Sequence, residues 1–264
     1  MSESPVLLSV EGAVATLSLN RPPRNTMTRE VMACFAERLE EVRSTPAARV
    51  LIVTSVGKHF CAGAELGADI PGEAPALGGP PGTADRLREV YAPFLALMDL
   101  PIPTIAAVGG AAVGGGLGLA LACDFRVVCP ETRFMAPFVR LGIHPGMALT
   151  YLLPSIVGAA RAMEMLLTGD EVRGELALSW GLANRCVPEP DLLDEAYSLA
   201  AQIAAGAPAV VRWTKRAVHR AIGLDPRAAA DVEAMAQALT FGTKDAEEGM
   251  RAFLEKRVPE FTGS

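Results

Sequence analysis

Residues 105–123 read IAAVGGAAVGGGLGLALAC, without one charged side chain and with glycine at 109, 110, 114, 115, 116 and 118. Few structures accept such a run. By length and apolarity it fits a bilayer span, and Gly110 and Gly114 have the GxxxG spacing of packed membrane helices. A nucleotide-phosphate loop is a poor match. There is no G-x-x-x-x-G-K-[ST], and no third glycine follows Gly116 and Gly118 to complete G-x-G-x-x-G. The remaining reading is a buried strand at 104–108, a tight glycine turn, and a buried helix at 117–123. Glycines let the main chain approach a ligand, and a helix start offers unpaired N–H groups to it.

The flanks argue against the membrane. No Lys, Arg, Trp or Tyr brackets the run, which leads straight into Asp124. The first residues, MSESPVLLSVEG, lack the basic and long apolar regions of a secretory signal. A net charge of −6 supplies no field to recruit nucleic acid. Five scattered cysteines without a C-x-x-C, and three histidines, suggest neither a disulfide framework nor a metal site. Buried thiols in a reducing, cytoplasmic compartment fit better.

Taken in order, 6–10 and 14–19 form a hairpin around Glu11-Gly12. Thr28 precedes an amphipathic helix at 29–44 with Val31, Phe35, Leu39 and Val42 on one face, stopped by Pro46. A buried strand at 50–54 leads into the small-residue loop Gly57–Leu66. Residues 67–84, rich in Gly, Pro and Ala, read as a loop, either a passive insertion or a lid over a ligand. A helix at 86–99, strands at 102–108, 125–128 and 134–138, helices at 148–156, 161–167 and 176–180, and a strand at 183–187 follow. This order suits stacked β-β-α turns better than simple β-α alternation. After about residue 190 the strand signal stops, and helices at 192–204, 207–221, 227–241 and 245–255 remain. The division expected is a mixed α/β core over 1–190 and a helical region over 191–264.

With both glycine segments in view, the chain resembles the crotonase superfamily, the enoyl-CoA hydratase/isomerase family. The resemblance rests on Leu19-Asn20-Arg21-Pro22 with Arg24-Asn25, on Lys58 through Leu66, and on Gly114-Gly115-Gly116-Leu117-Gly118 leading to Cys123-Asp124. Leu167-Thr168-Gly169-Asp170, Gly181-Leu182-Ala183-Asn184 and Phe253 through Arg257 extend it over nearly the whole chain. It implies a spiral of β-β-α repeats with a C-terminal helical region for trimerisation, giving a homotrimer or a hexamer built as a dimer of trimers. It implies an acyl-CoA thioester ligand, with coenzyme A part of the substrate and no tightly bound cofactor. By match, the main-chain N–H groups of Ala64 and Gly115 form an oxyanion hole. Arg24, Ala62, Glu65, Leu66, Phe253 and Lys256 meet CoA, the last two from a neighbouring subunit. Physics suits that hole: a thioester enolate puts charge on oxygen, and losing one of two fixed donors costs about 3 kcal/mol.

The family's chemistry matches less well than its cradle. Hydratases of this family use two glutamates on the water, and the matched positions are Gly118 and Phe138. Relatives that isomerise use a carboxylate at the position of Gly146. None of these three can move a proton. His144, in the Leu141–Gly146 segment that lines the acyl pocket in relatives, is the acid/base candidate near neutral pH, against a loop histidine bonded to main chain. Asp85, Arg86, Glu89 and Tyr91 on the possible lid helix are further candidates, against a solvated helix face. Gly118, Phe138, Gly146 and Met147 line the expected substrate pocket. The expectation is an acyl-CoA enzyme, lyase or isomerase, acting through a thioester enolate. The alternatives are a divergent decarboxylase or isomerase, and a non-catalytic acyl-CoA binder on the same fold. A serine hydrolase is disfavoured because no G-x-S-x-G occurs.

Overall fold

The computed structural model describes residues 4–64, 83–221 and 225–264. The chain opens with β1 (Val6–Glu11) and β2 (Val14–Leu19), paired antiparallel with Val6 opposite Leu19. Helix α1 (Arg29–Arg43) follows, and the Thr28 side chain accepts the Val31 amide at its start. Then come β3 (Val50–Ser55), α2 (Thr83–Met98), β4 (Thr104–Val108), β5 (Ala111–Val113), α3 (Gly115–Ala122), β6 (Phe125–Val128) and β7 (Arg133–Met135). The rest is α4 (Leu149–Val157), α5 (Ala159–Thr168), β8 (Glu171–Arg173), α6 (Gly174–Trp180), β9 (Arg185–Cys186), α7 (Leu192–Ala204), α8 (Pro208–Ala221), α9 (Pro226–Phe241) and α10 (Lys244–Glu255).

One sheet runs β1-β2-β3-β4-β6-β9 and is parallel from β2 onward. A second runs β5-β7-β8. Isolated parallel bridges pair Met27 with Ala64 and Cys61 with Ala112. Successive turns of chain therefore lay one segment in the large sheet and the next beside the small one, which is a β-β-α spiral.

The central strands β3 and β4 of the large sheet are buried on both faces, as uninterrupted apolar strands require. Along β3, Leu51 and Val53 face the main core with Phe35, Leu39 and Phe60, while Val50 and Ile52 face the other way. That second face is covered by Leu192, Ala196, Leu199 and Ala200 of α7. The change of composition near residue 190 thus marks the end of the strands, but α7 completes the sheet's packing.

Three short features depart from the sequence reading. The glycine turn after β4 contains β5, and α3 begins at Gly115. The expected strand 134–138 is cut to β7, because Pro137 lacks an N–H for a ladder and instead opens a 3₁₀ turn, Pro137–Leu141, that carries Phe138. β8 pairs antiparallel with β7 and was not expected. The run that resembled a bilayer span is divided among β4, β5 and α3, and no helix among the described residues is long and apolar enough to cross a membrane.

Candidate active site

The site forms where the loop after β3 meets the start of α3. Cys61 pairs with β5: its amide donates to the Ala111 carbonyl at 3.0 Å, and its carbonyl accepts from Val113 at 2.9 Å. Ala62 N–H donates to the Arg24 carbonyl and Met27 N–H to the Gly63 carbonyl, at 2.9 and 2.8 Å. The loop is thus held between the 24–27 segment and β5.

Its closeness to α3 depends on glycine. A β-carbon on Gly63, where φ is +83°, would lie 2.6 Å from the Val113 carbonyl oxygen and 3.3 Å from the Gly115 nitrogen. One on Gly116 would lie 2.1 Å from the Cys61 carbonyl oxygen. The Ala64 and Gly115 amides consequently belong to two segments in direct contact, and neither N–H finds an acceptor among the described residues. Gly115 is the first residue of α3, so its N–H has no partner within the helix and the positive end of the dipole adds to it.

Asn25 is a support the sequence reading did not explain. It is buried in a left-handed conformation, φ 49°, which Asn tolerates better than most residues. Its Nδ2 donates to the Val56 and His59 carbonyls at 3.0 and 2.7 Å, and its Oδ1 accepts the Arg21 amide at 2.8 Å. A single side chain thereby ties the 21–25 turn to the loop carrying Ala64. The only early signal was its place in the Arg24-Asn25 motif.

Beside Ala64 lies a cleft of about 570 Å³, lined by Arg21, Arg24, Thr26, Thr28, Ala62 and Ala64 among others. Phe253 and Lys256 do not line it. They lie on and just after α10, where the Phe253 side chain is 83% exposed and Lys256 ends the helix in a left-handed conformation. Glu65, Leu66 and residues 67–82 of the possible lid at 67–84 fall outside the described residues, and its last two residues, Thr83 and Ala84, instead begin α2.

The pocket residues come together, with their room already taken. A β-carbon on Gly118 would meet Met147 Cβ at 2.5 Å, and one on Gly115 would meet Met27 Sδ at 2.7 Å and Met147 Cγ at 3.8 Å. The Phe138 ring lies 3.6 Å from the same probe on Gly114. Met147 and Ala148 both have positive φ, 54° and 52°, a costly conformation that holds the Met147 side chain against α3. Substituting Gly118 with Glu is therefore expected to overpack this contact and destabilise the fold by about 1–3 kcal/mol, measured by urea denaturation. Unchanged stability would mean that Met147 moves aside freely.

His144 is exposed, and its Nδ1 lies 2.8 Å from the Pro145 carbonyl oxygen. The structure brings Gly115, Gly118, Gly146 and Met147 together and leaves this imidazole at the surface. His59 is half-buried, with Nδ1 unpartnered. Burial, then the charges of Arg133 and Lys58, hold its imidazole below the usual range. Cys61, fully buried in the loop, is pushed up to about 12 by burial, partly opposed by a main-chain hydrogen bond from Gly63, so it is a neutral thiol rather than a nucleophile. Among the described residues no group of His, Cys, Asp or Glu is arranged to hold a metal. Of the helix α2 candidates, Asp85 and Glu89 are exposed, Asp85 pairing with Arg88, and the Arg86 side chain lies outside the described set. Tyr91 is half-buried and packs on the core.

A β-β-α spiral carrying two apposed glycine loops is the crotonase class of fold. The sequence profile of the enoyl-CoA hydratase/isomerase family matches residues 9–264. The 1,2-epoxyphenylacetyl-CoA isomerase of Escherichia coli K12 is 36% identical over 98% of both chains. The crotonyl-CoA hydratase of Syntrophomonas wolfei is 35% identical over 99% of both. A crystal structure of an enoyl-CoA hydratase from Bacillus anthracis superposes with a TM-score of 0.89 at 31% identity, covering 98% of this chain and 100% of that one. The chain belongs to the enoyl-CoA hydratase/isomerase family, whose members named here are hydratases and isomerases of CoA thioesters.

Proposed function

We propose that this protein acts on an acyl-CoA thioester by stabilising its enolate oxygen between the Ala64 and Gly115 amides. The observation that carries the reading is the contact of Gly63 with α3, which brings together the two segments whose Ala64 and Gly115 amides have no acceptor among the described residues. Arg24 and Ala62 border the cleft next to Ala64 and suit the CoA moiety, and Glu65 and Leu66, the next residues in sequence, are assigned to the same moiety by the family match. Phe253 and Lys256, which do not line that cleft on this chain, reach CoA from a neighbouring subunit. The exposure of Phe253, Leu254 and Val258, each at least 80%, supports association through the C-terminal helices as a homotrimer or a dimer of trimers. The site needs no resident cofactor, and the free cysteines suit the cytoplasm.

Met147 against Gly118 favours a reaction other than hydration by paired carboxylates. A decarboxylase or isomerase satisfies the hole without them, and a silent acyl-CoA binder is the remaining alternative. Steady-state assays on crotonyl-, methylmalonyl- and aroyl-CoA, alongside calorimetric titration with butyryl-CoA, separate these. Turnover of at least one ester is expected, and binding without turnover would favour the binder. If no CoA thioester is bound or turned over, the proposal fails.

A further inference from the structure

We propose that the Tyr91 hydroxyl is the proton donor of this site, delivering a proton to the α-carbon of a thioester enolate made by loss of CO₂ from a malonyl-type acyl group. This rests on the acyl-CoA reading above and names its substrate class and acid.

The observation is a replacement in space. Gly146 occupies the position where isomerising relatives carry a carboxylate, and a β-carbon there would lie 2.3 Å from Tyr91 Oη and 3.1 Å from its Cζ. A phenol from another element thus stands where a side chain of residue 146 would begin. The next residue, Met147, abuts both Gly118 and Gly115, so the hydroxyl lies one residue from the wall of the oxyanion hole. The ring is held edge-on to Phe94, centroids 6.3 Å apart at 76°, and Phe94 is fully buried. Of the atoms nearest to where β-carbons on Gly115, Gly118 and Gly146 would stand, those of Tyr91 belong to an ionisable side chain.

The pocket's character then decides the substrate. Burial pushes the Tyr91 phenol above its usual range, with a main-chain hydrogen bond from Met147 partly offsetting it, so the group stays protonated and serves as an acid. An enolate in this pocket must arise without a carboxylate base at 118, 138 or 146. Decarboxylation supplies it: the bond from the α-carbon to the carboxylate breaks, CO₂ leaves, and the electron pair enters the thioester as the enolate. The Tyr91 O–H then breaks, a C–H bond forms at the α-carbon, and the carbonyl is restored. The phenolate is reprotonated by water.

Methylmalonyl-CoA in D₂O tests this. The wild-type protein is expected to give propionyl-CoA with deuterium in one configuration at the α-carbon. Tyr91→Phe is expected to lower kcat by roughly 10²-fold and to yield scrambled deuterium, since solvent then protonates both faces. Gly146→Ala, which displaces the hydroxyl, is expected to scramble it too, and keeps the test valid if Tyr91→Phe does not fold. Stereospecific product at wild-type rate from Tyr91→Phe would overturn the assignment. Butyryl-CoA binding without decarboxylation by the wild type would overturn it while leaving the acyl-CoA reading intact; absence of any thioester binding would sink both.

Discussion

Gly116→Ala is expected to lower kcat/KM on the responsive acyl-CoA ester by roughly 10²–10³-fold, the magnitude of losing one oxyanion donor. The new methyl would stand 2.1 Å from the Cys61 carbonyl oxygen and 2.8 Å from the Cys61 carbonyl carbon. Both are main-chain atoms, so no side-chain rotation relieves the clash. Either α3 withdraws or the Cys61–Ala64 loop does, and the two amides part. Misplacement by about 1 Å is enough to cost on the order of 10²-fold. Cys61 remains tied to β5 by two hydrogen bonds, so the damage falls on the approach of the loops rather than on the sheet. The expected signature is lost activity with far-ultraviolet circular dichroism unchanged. Retained kcat/KM would show that the Gly115 amide is not a donor to the reacting carbonyl.

The parts of this arrangement that the sequence made legible are those written in long, local patterns. Apolar runs at 50–54 and 104–108 became β3 and β4 because strands covered on both faces need no polar alternation. Thr28 ahead of a spaced apolar face became the cap of α1. What escaped were β5 and β8, three residues each, which exist because a neighbouring turn of chain supplies their partners. No periodicity can be read in so short a segment. The two glycine motifs announced Ala64 and Gly115, yet their contact is a property of the folded chain. His144 was singled out because its segment lines the acyl pocket in relatives; in the folded chain its imidazole is exposed, and positive φ at Met147 and Ala148 sets the methionine against α3. Tyr91 stood among four helix residues with nothing local to single it out, and only tertiary packing sets it on Gly146.

Asp124→Ala is expected to destabilise the fold by about 3–5 kcal/mol, the cost of leaving a buried ammonium without its partner, which lowers Tm by on the order of 10 °C. Asp124 follows α3 at the entry to β6, and its carboxylate is nearly buried. Oδ2 accepts from the Thr104 amide at 2.8 Å, the Thr104 hydroxyl at 3.0 Å and Lys215 Nζ at 2.8 Å, while His219 Nε2 lies 2.8 Å from Oδ1. Lys215 also donates to the Ile102 carbonyl at 2.9 Å. The cluster therefore fastens α8 to β4 and to the helix that presents Gly115. Burial alone would raise the carboxyl, but the His219 hydrogen bond and the Lys215 charge outweigh it and hold Asp124 below the usual carboxylate range. A depressed carboxyl stabilises fully above its unfolded value, near 3.9, and its contribution disappears as pH falls through the folded one. The gap in urea midpoint between wild type and Asp124→Asn should accordingly be largest near neutrality and narrow below about pH 4. A gap independent of pH would contradict the carboxylate's role. Adding Lys215→Met to Asp124→Ala should recover much of the loss, because removing the stranded charge leaves an apolar contact in place of an uncompensated ion. A double variant as unstable as the single one would place the cost in Thr104's lost hydrogen bonds instead.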